Sequence, residues 1–364
     1  MLTEPTAAQR ELVTEFRRDL ATSQDAVASA VPRWAGLTVP AARGGHALGQ
    51  LEAVLVAEET GRAGRDGTLL DLTAAAEALA AADEGPAADA LRDLLAGRAG
   101  LAVSLCPGPD ERAEEAPPPR HRDFVSGLPA TAALLRLPRI PGGGERFALV
   151  PLHAASWRPH AGLHAEPRHR LDLPARTAAR HITTGDPLTR DSAGTGDGTP
   201  ALADLDGIRR AGYLCGLAEA AVDAAVRRAR DRRQFGTPIG RHQAVAFPLA
   251  ALTARLHAAR LLTRCTAALA DHRARLDDGS SNAKDAKDAD DTDERPFAER
   301  VADLVRHTTD LALDATWCGL HLHGAQGLTE QSPAQLLYRR ALLHTALARP
   351  APHPYEPPIQ GRSR

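Results

Sequence analysis

The chain has 364 residues, more than one hydrophobic core usually holds, so two or three domains sharing an interface are expected. Its 44 Lys and Arg against 46 Asp and Glu leave a net charge of -2, which gives no global basic field for nucleic acid or an anionic membrane. Four scattered cysteines, Cys106, Cys215, Cys265 and Cys318, and an N-terminus without a charged region and apolar run fit a reduced cytoplasmic protein.

Apolar residues recur at helical spacing from Pro5 to Ala30 and from Gly49 to Arg62, on either side of the break at Gly44-Gly45. An Ala/Leu-rich helical pattern continues from Leu69 to Leu95, interrupted at Gly85-Pro86. The first hundred residues therefore read as a helical domain.

The pattern changes at Leu101–Leu105, a short strand-like run closed by Cys106-Pro-Gly-Pro109. Runs at Ala132–Leu137 and Phe147–Leu152 follow, divided by Pro117–Pro119 and Pro141–Gly144. Short apolar runs bounded by Pro and Gly read as strands of a small β domain over 101–200, with a polar loop from Ile182 to Pro200.

From Leu205 the spacing is helical again, with Leu214, Leu217, Ala221, Ala225 and Ala229 on one face. Further helices are expected from Gln243 to about Leu276, from Phe297 to Leu322 and from Pro333 to Ala348. Four helices with one-sided stripes describe an antiparallel bundle over 201–349. Residues 277–296 form an Asp/Lys/Ala/Ser insertion that cannot bury enough apolar surface to order itself, and a Pro-rich flexible tail begins at Pro350. No continuous apolar stretch approaches the ~20 residues that span a bilayer, so no membrane partner is expected. Aromatics make up only 3% of the chain, so the core must be built from Ala, Leu and Val on closely approaching helices.

Three segments carry the chemistry. Arg232-Arg-Gln-Phe-Gly-Thr-Pro-Ile-Gly-Arg-His-Gln243 joins two helices through a Gly/Pro turn and offers a fixed cation, a phenyl ring and an amide. His321-Leu-His-Gly-Ala-Gln-Gly-Leu-Thr-Glu330 supplies glycines that allow close approach of a ligand. Near the N-terminus stand Val39-Pro-Ala-Ala-Arg-Gly-Gly45 and Ala57-Glu-Glu-Thr-Gly-Arg62. In this order and spacing they resemble the R-x-Q-F-G-x-P-I…Q, Q-x-x-G-G-x-G-x-T-E and V-P-x-x-x-G-G…E-E-x-G-R segments of acyl-CoA dehydrogenases.

The resemblance implies a mostly α fold with a small central β domain, an N-terminal helical domain and a C-terminal four-helix bundle. It implies FAD as cofactor, held at a subunit interface by Arg232 on the pyrophosphate and by Gln234, Phe235, His242, Gln243, His321, Gly324 and Ala325. Arg can fork onto phosphate oxygens, and Gln can both donate and accept. An exposed helix-end Arg and plain core packing of Phe235 are the bland alternatives. The family has Gln where this chain has His321, and Gly where it has Ala325. No metal site is indicated, because the histidines lack partners at ligand spacing.

The family's reaction removes the α-proton of an acyl thioester with a carboxylate while the β-hydrogen leaves as hydride to flavin. Most members keep that acid in a Glu-Gly-Thr segment, but Arg340–Pro350 here holds none. A minority place it 29 residues before the Phe of the Q-F-G segment, which points to Asp206. Asp-Gly ahead of a helix is also a good N-cap or turn. The family's Thr-x-x-x-x-G-S-D and Trp-x-Thr segments are missing between Leu101 and Leu202. The expected partners are an acyl thioester of CoA or acyl carrier protein, a related acyl-CoA dehydrogenase subunit in a homo- or hetero-oligomer, and electron-transfer flavoprotein. A non-catalytic partner or scaffold subunit with little FAD, and a helical binding module whose middle third is not β, are the alternatives.

Overall fold

The computed structural model describes residues 4–22, 33–82, 85–105, 121–127, 129–137, 145–153, 155–160, 166–174, 179–183, 200–277 and 295–348. The segments 106–120, 138–144, 184–199, 278–294 and 349–364 lie outside them, so the Pro-rich breaks, the low-complexity insertion and the tail read from the sequence are not described.

The N-terminal part is helical: α1 (Ala7–Thr22), α2 (Gln50–Arg62), α3 (Thr68–Ala80) and α4 (Pro86–Leu95). The expected interruption at Gly85-Pro86 is a helix start, with Gly85 at φ 117° and Pro86 opening α4, where its missing N–H costs nothing.

Seven short strands follow among the described residues: β1 (Leu101–Ser104), β2 (His121–Val125), β3 (Ala132–Leu137), β4 (Arg146–Pro151), β5 (Ser156–Pro159), β6 (His169–Asp172) and β7 (Arg180–Thr183). One sheet has the order β1-β3-β4-β7 with only β1 and β3 parallel; the other is antiparallel β2-β6-β5. Alternation along β3 explains the layering. Leu134 faces the helical core with Leu79 and Leu91, whereas Ala133 and Leu135 face a second core with Val125 and Leu171. β7 falls partly in the stretch expected as a loop from Ile182, because it pairs with β4 from Phe147↔Ile182 outward.

The bundle consists of α5 (Leu202–Asp231), α6 (Gln243–Asp277), α7 (Phe297–His323) and α8 (Pro333–Ala348), joined between α5 and α6 by a hairpin of β8 (Arg233–Gln234) and β9 (Thr237–Pro238). α5 starts three residues before Leu205, since Asp204 reaches back to the Ala201 N–H at 3.2 Å and caps the helix there. Asp206 is thus inside the helix and is neither an N-cap nor a turn residue.

Two glycines let α5 cross α2 at backbone contact. A Cβ on Gly61 would sit 2.1 Å from the Tyr213 carbonyl oxygen, and one on Gly216 would sit 2.0 Å from the Glu58 carbonyl oxygen. The Ala/Leu/Val core expected from composition is realised around this crossing by Leu214, Leu217, Ala218, Leu252 and Leu311. α6 departs from the sequence expectation in one respect: Gln243–Arg275 is long and apolar enough to cross a membrane by length and composition, yet Leu252, Leu256 and Ala259 on one side lock it into the bundle.

Candidate functional site

The first motif forms the end of α5 and the hairpin behind it. Arg232 leaves the helix in extended backbone (φ -72°, ψ 124°) while its N–H still bonds the Arg228 carbonyl at 2.9 Å. Register Arg233↔Pro238 and Gln234↔Thr237 leaves a two-residue turn, Phe235 at φ 51° and Gly236 at φ 79°. Two consecutive left-handed residues make the hairpin turn that matches strand twist. Gly accepts this freely; Phe does so at a cost of about 1–2 kcal/mol.

Phe235 is 92% exposed, and its ring lies edge-on to His242 with centroids 6.0 Å apart. Core packing of Phe235 is thereby overturned, and so is burial within this chain. A strained backbone that holds an apolar ring out in water gives the isolated fold nothing. Arg232 is exposed and has no ion pair among the described residues. The Ile239 N–H closes the loop on the Arg232 carbonyl at 2.8 Å, and the His242 N–H bonds the Ile239 carbonyl just before Gln243 opens α6.

The second motif ends α7. Gly324 (φ 61°) terminates the helix, and His323 Nδ1–H donates to the Gly319 carbonyl at 2.7 Å. His321 is exposed beside Trp317, with ring centroids 5.7 Å apart, and Ala325 is exposed. Gly327 is buried, and a Cβ there would meet the Leu320 carbonyl at 2.9 Å.

A small apolar cluster brings the two motifs to one end of the bundle. Ala225, Ala229 and Leu249 pack with Ile239 and Val245 from the hairpin side and with Cys318 and Leu322 from α7. Arg232, Gln234, Phe235, His242 and Gln243 are therefore neighbours in space of the segment bearing His321, Gly324 and Ala325. Trp317 (54% exposed) and Leu328 (69% exposed) add apolar surface there.

Asp206 lies elsewhere, where α3, the β domain, α5 and α8 meet. Its Oδ2 accepts from Arg210 Nε at 2.8 Å, and its Oδ1 is buried with no hydrogen-bond partner among the described residues. Arg210 also donates to Asp71 at 2.6 Å and faces His344 Nδ1 at 3.4 Å. Arg168 joins Asp71 to Glu166, and Glu166 accepts from His344 Nε2 at 2.8 Å and from the Gly67 N–H at 3.0 Å. Tyr213 stacks on His344 and donates to the Arg65 carbonyl at 2.8 Å.

These side chains are buried, so the charges hold one another in a low-dielectric junction. Burial pushes the Glu166 and Asp71 carboxyls up, but the cationic neighbours outweigh it. His344 and Arg168 hold Glu166, and Arg168 and Arg210 hold Asp71, below the ordinary carboxylate range. Burial pushes the Tyr213 hydroxyl well up, so it stays a donor.

Reading by motif misses Asp71, Glu166, Arg168, Arg210 and His344. The available signal is a charged residue inside an apolar helical run, as in Leu69-Leu-Asp-Leu72 or Leu342-Leu-His344. Among the described residues no group of three or more His, Cys, Asp or Glu could hold a metal. A cleft of about 370 Å³ between α4 and the larger sheet, lined by Pro86, Ala90, Leu101, Leu149 and Arg180, contains none of the candidate residues.

The family model of the acyl-CoA dehydrogenase C-terminal domain matches residues 207–287. The probable acyl-CoA dehydrogenase FadE25 of Mycobacterium tuberculosis is 34% identical over 150 residues, 41% of this chain and 33% of that protein. Over these stretches the chain is similar to acyl-CoA dehydrogenases.

The matched stretch spans only about a third of the length of this relative. The fold likeness extends further. Glutaryl-coenzyme A dehydrogenase, solved in complex with glutaryl-CoA, superposes with a TM-score of 0.71 at 19% identity, covering 96% of this chain and 93% of that one. The ChsE4-ChsE5 complex from Mycobacterium tuberculosis gives 0.70 at 18% identity, covering 96% and 95%. At these identities the likeness is one of fold. The described residues thus have an acyl-CoA dehydrogenase-like fold, and the family-model match falls within the bundle.

Proposed function

We propose that the chain is a flavoprotein subunit of an acyl-CoA dehydrogenase assembly. The α,β-dehydrogenation of an acyl thioester, carried on CoA or acyl carrier protein, proceeds in a complex with a related subunit. The observation that carries this reading is the end of the bundle, where an unpaired Arg232 and an exposed, strained Phe235 stand next to the Gly324–Ala325 turn.

FAD fits those residues. Arg232 would fork onto the pyrophosphate, Gln234 and Gln243 would hydrogen-bond the sugar or adenine, and Phe235 would cover an aromatic face. The turn at Gly324 presents no Cβ, and Ala325 adds only a methyl group at an exposed position. Bound there, FAD supplies the hydride acceptor. Asp206 would take the α-proton, with electrons passing on to electron-transfer flavoprotein.

A second reading is favoured by the junction around Asp206. A base needs a free lone pair in reach of the substrate; here Oδ2 is engaged by Arg210, and Oδ1, the oxygen left over, is buried inside a packed ionic cluster. A non-catalytic subunit that keeps the bundle interface and leaves chemistry to its partner fits that arrangement.

The absorbance spectrum of the purified full chain, before and after incubation with FAD, tests both readings. A bound-flavin spectrum that disappears in Arg232→Ala supports the first. A protein that stays colourless supports the second. If the chain holds flavin and an acyl thioester bleaches it, Asp206→Asn should abolish the bleaching; unchanged bleaching removes Asp206 as base.

A further inference from the structure

The larger sheet carries a charge on its apolar face. Between β4 and β7, Phe147 pairs with Ile182 and Leu149 pairs with Arg180. Residues paired across strands share a face, and side chains two apart along a strand return to it. Phe147, Leu149 and Ile182 are buried in the core shared with the helical domain, so Arg180 stands on the face turned toward that domain. It is exposed there and has no ion pair among the described residues.

The space it borders is the cleft of about 370 Å³ beneath α4. The floor is the row Leu101, Ala132 and Pro151 across β1, β3 and β4, and α4 covers it with Pro86 and Ala90. Small side chains on both layers, Ala90 on the helix and Ala132 on the sheet, leave a gap that larger ones would fill. Asp93 also lines the cleft, but Arg98 neutralises it at 2.8 Å, so Arg180 is the uncompensated charge among the described lining residues. Thr131 adds a hydroxyl.

An inward charge on an edge strand also discourages edge-to-edge pairing, and β7 is an edge of its sheet. That role asks for no cleft beside it. An apolar recess with a guanidinium and a hydroxyl on its walls has the make-up of a small-molecule site, at the small end of the roughly 300–1,000 Å³ such sites occupy. A guanidinium forks onto a carboxylate, and the apolar walls suit an aliphatic or single-ring body.

We propose that this cleft binds a small carboxylate with an apolar body, held at its charged end by Arg180 and Thr131. All the lining residues lie between Pro86 and Arg180, outside the bundle that bears the flavin candidates, so the proposal stands or falls apart from the cofactor reading.

Octanoate is the probe, titrated into the full chain with labelled Ala and Leu methyl groups and followed by NMR. Saturable shifts are expected at the methyls of Ala90, Ala132 and Leu149. Octylamine, of the same length and opposite charge, should bind at least tenfold more weakly, and Arg180→Ala should weaken octanoate by at least tenfold. Ala90→Leu is the second variant: it fills the recess from the helix side and leaves Arg180 in place. It should abolish the shifts at Ala132 and Leu149 with the thermal midpoint unchanged, and it decides the matter even where Arg180→Ala self-associates through its freed edge. Absence of saturable shifts at these methyls, shifts confined to the bundle, equal binding of octylamine, or octanoate binding that survives Ala90→Leu or a folded Arg180→Ala overturns the proposal.

Discussion

Asp271, near the C-terminal end of α6, caps a helix of a different domain. Its carboxylate accepts from the Gln50 N–H at 2.6 Å and the Leu51 N–H at 3.1 Å, the first free donors of α2. The residue at the N-cap itself is Gly49, which has no side chain to do this, and a Cβ there would strike the Asp271 carboxylate at 2.5 Å. Asp271→Ala should therefore cost about 1–2 kcal/mol, as loss of an N-cap does, although the residue lies 221 positions from the helix start. Denaturant unfolding of the variant would measure the loss.

The crossing of α2 and α5 predicts a sharp contrast between two glycines. Gly216→Ala places a methyl 2.0 Å from a carbonyl oxygen of a packed helix, so the helices must separate; a loss of about 3 kcal/mol or more is expected. Gly236→Ala meets nothing within 4 Å and pays only for its φ of 79°, about 1 kcal/mol. Thermal melts of the two variants should rank in that order.

Phe235→Ala should leave the stability of the isolated chain within ~0.5 kcal/mol, because the ring is 92% exposed. A flavin titration read alongside the melt should show weakened binding with no change in unfolding.

Acid should loosen the junction of the three domains. Asp71 and Glu166 have folded-state values held below those of the unfolded chain, so their contribution is complete above the unfolded carboxylate range and is lost as pH falls through the folded values. The unfolding midpoint should drop between neutral and acid pH. Glu166→Gln should flatten that dependence and lower stability at neutral pH, since His344 and Arg168 would face an uncharged amide.

Much of the architecture was legible because hydrophobic spacing reports it directly. α8 begins at Pro333 and ends at Ala348 as the stripe indicates, and β3 coincides with the run Ala132–Leu137. The start of α5 was not, because the cap is Asp204 and not the Asp-Gly pair two residues on. The bundle motifs could be read as a site because their residues are close in sequence. The ionic junction could not: Asp71, Glu166, Arg210 and His344 come from four separate segments and meet only after the domains pack. Of the two readings of Phe235, cofactor contact and plain core packing, the 92% exposure of the ring removes the second.

That junction has a bearing on how the molecule comes apart. Asp71 of the helical domain is neutralised by Arg168 of the β domain and Arg210 of the bundle, so pulling any one of the three domains away breaks a buried ion pair. The helical domain, the β domain and the bundle should then melt together in a single calorimetric transition, and limited proteolysis should release no stable domain.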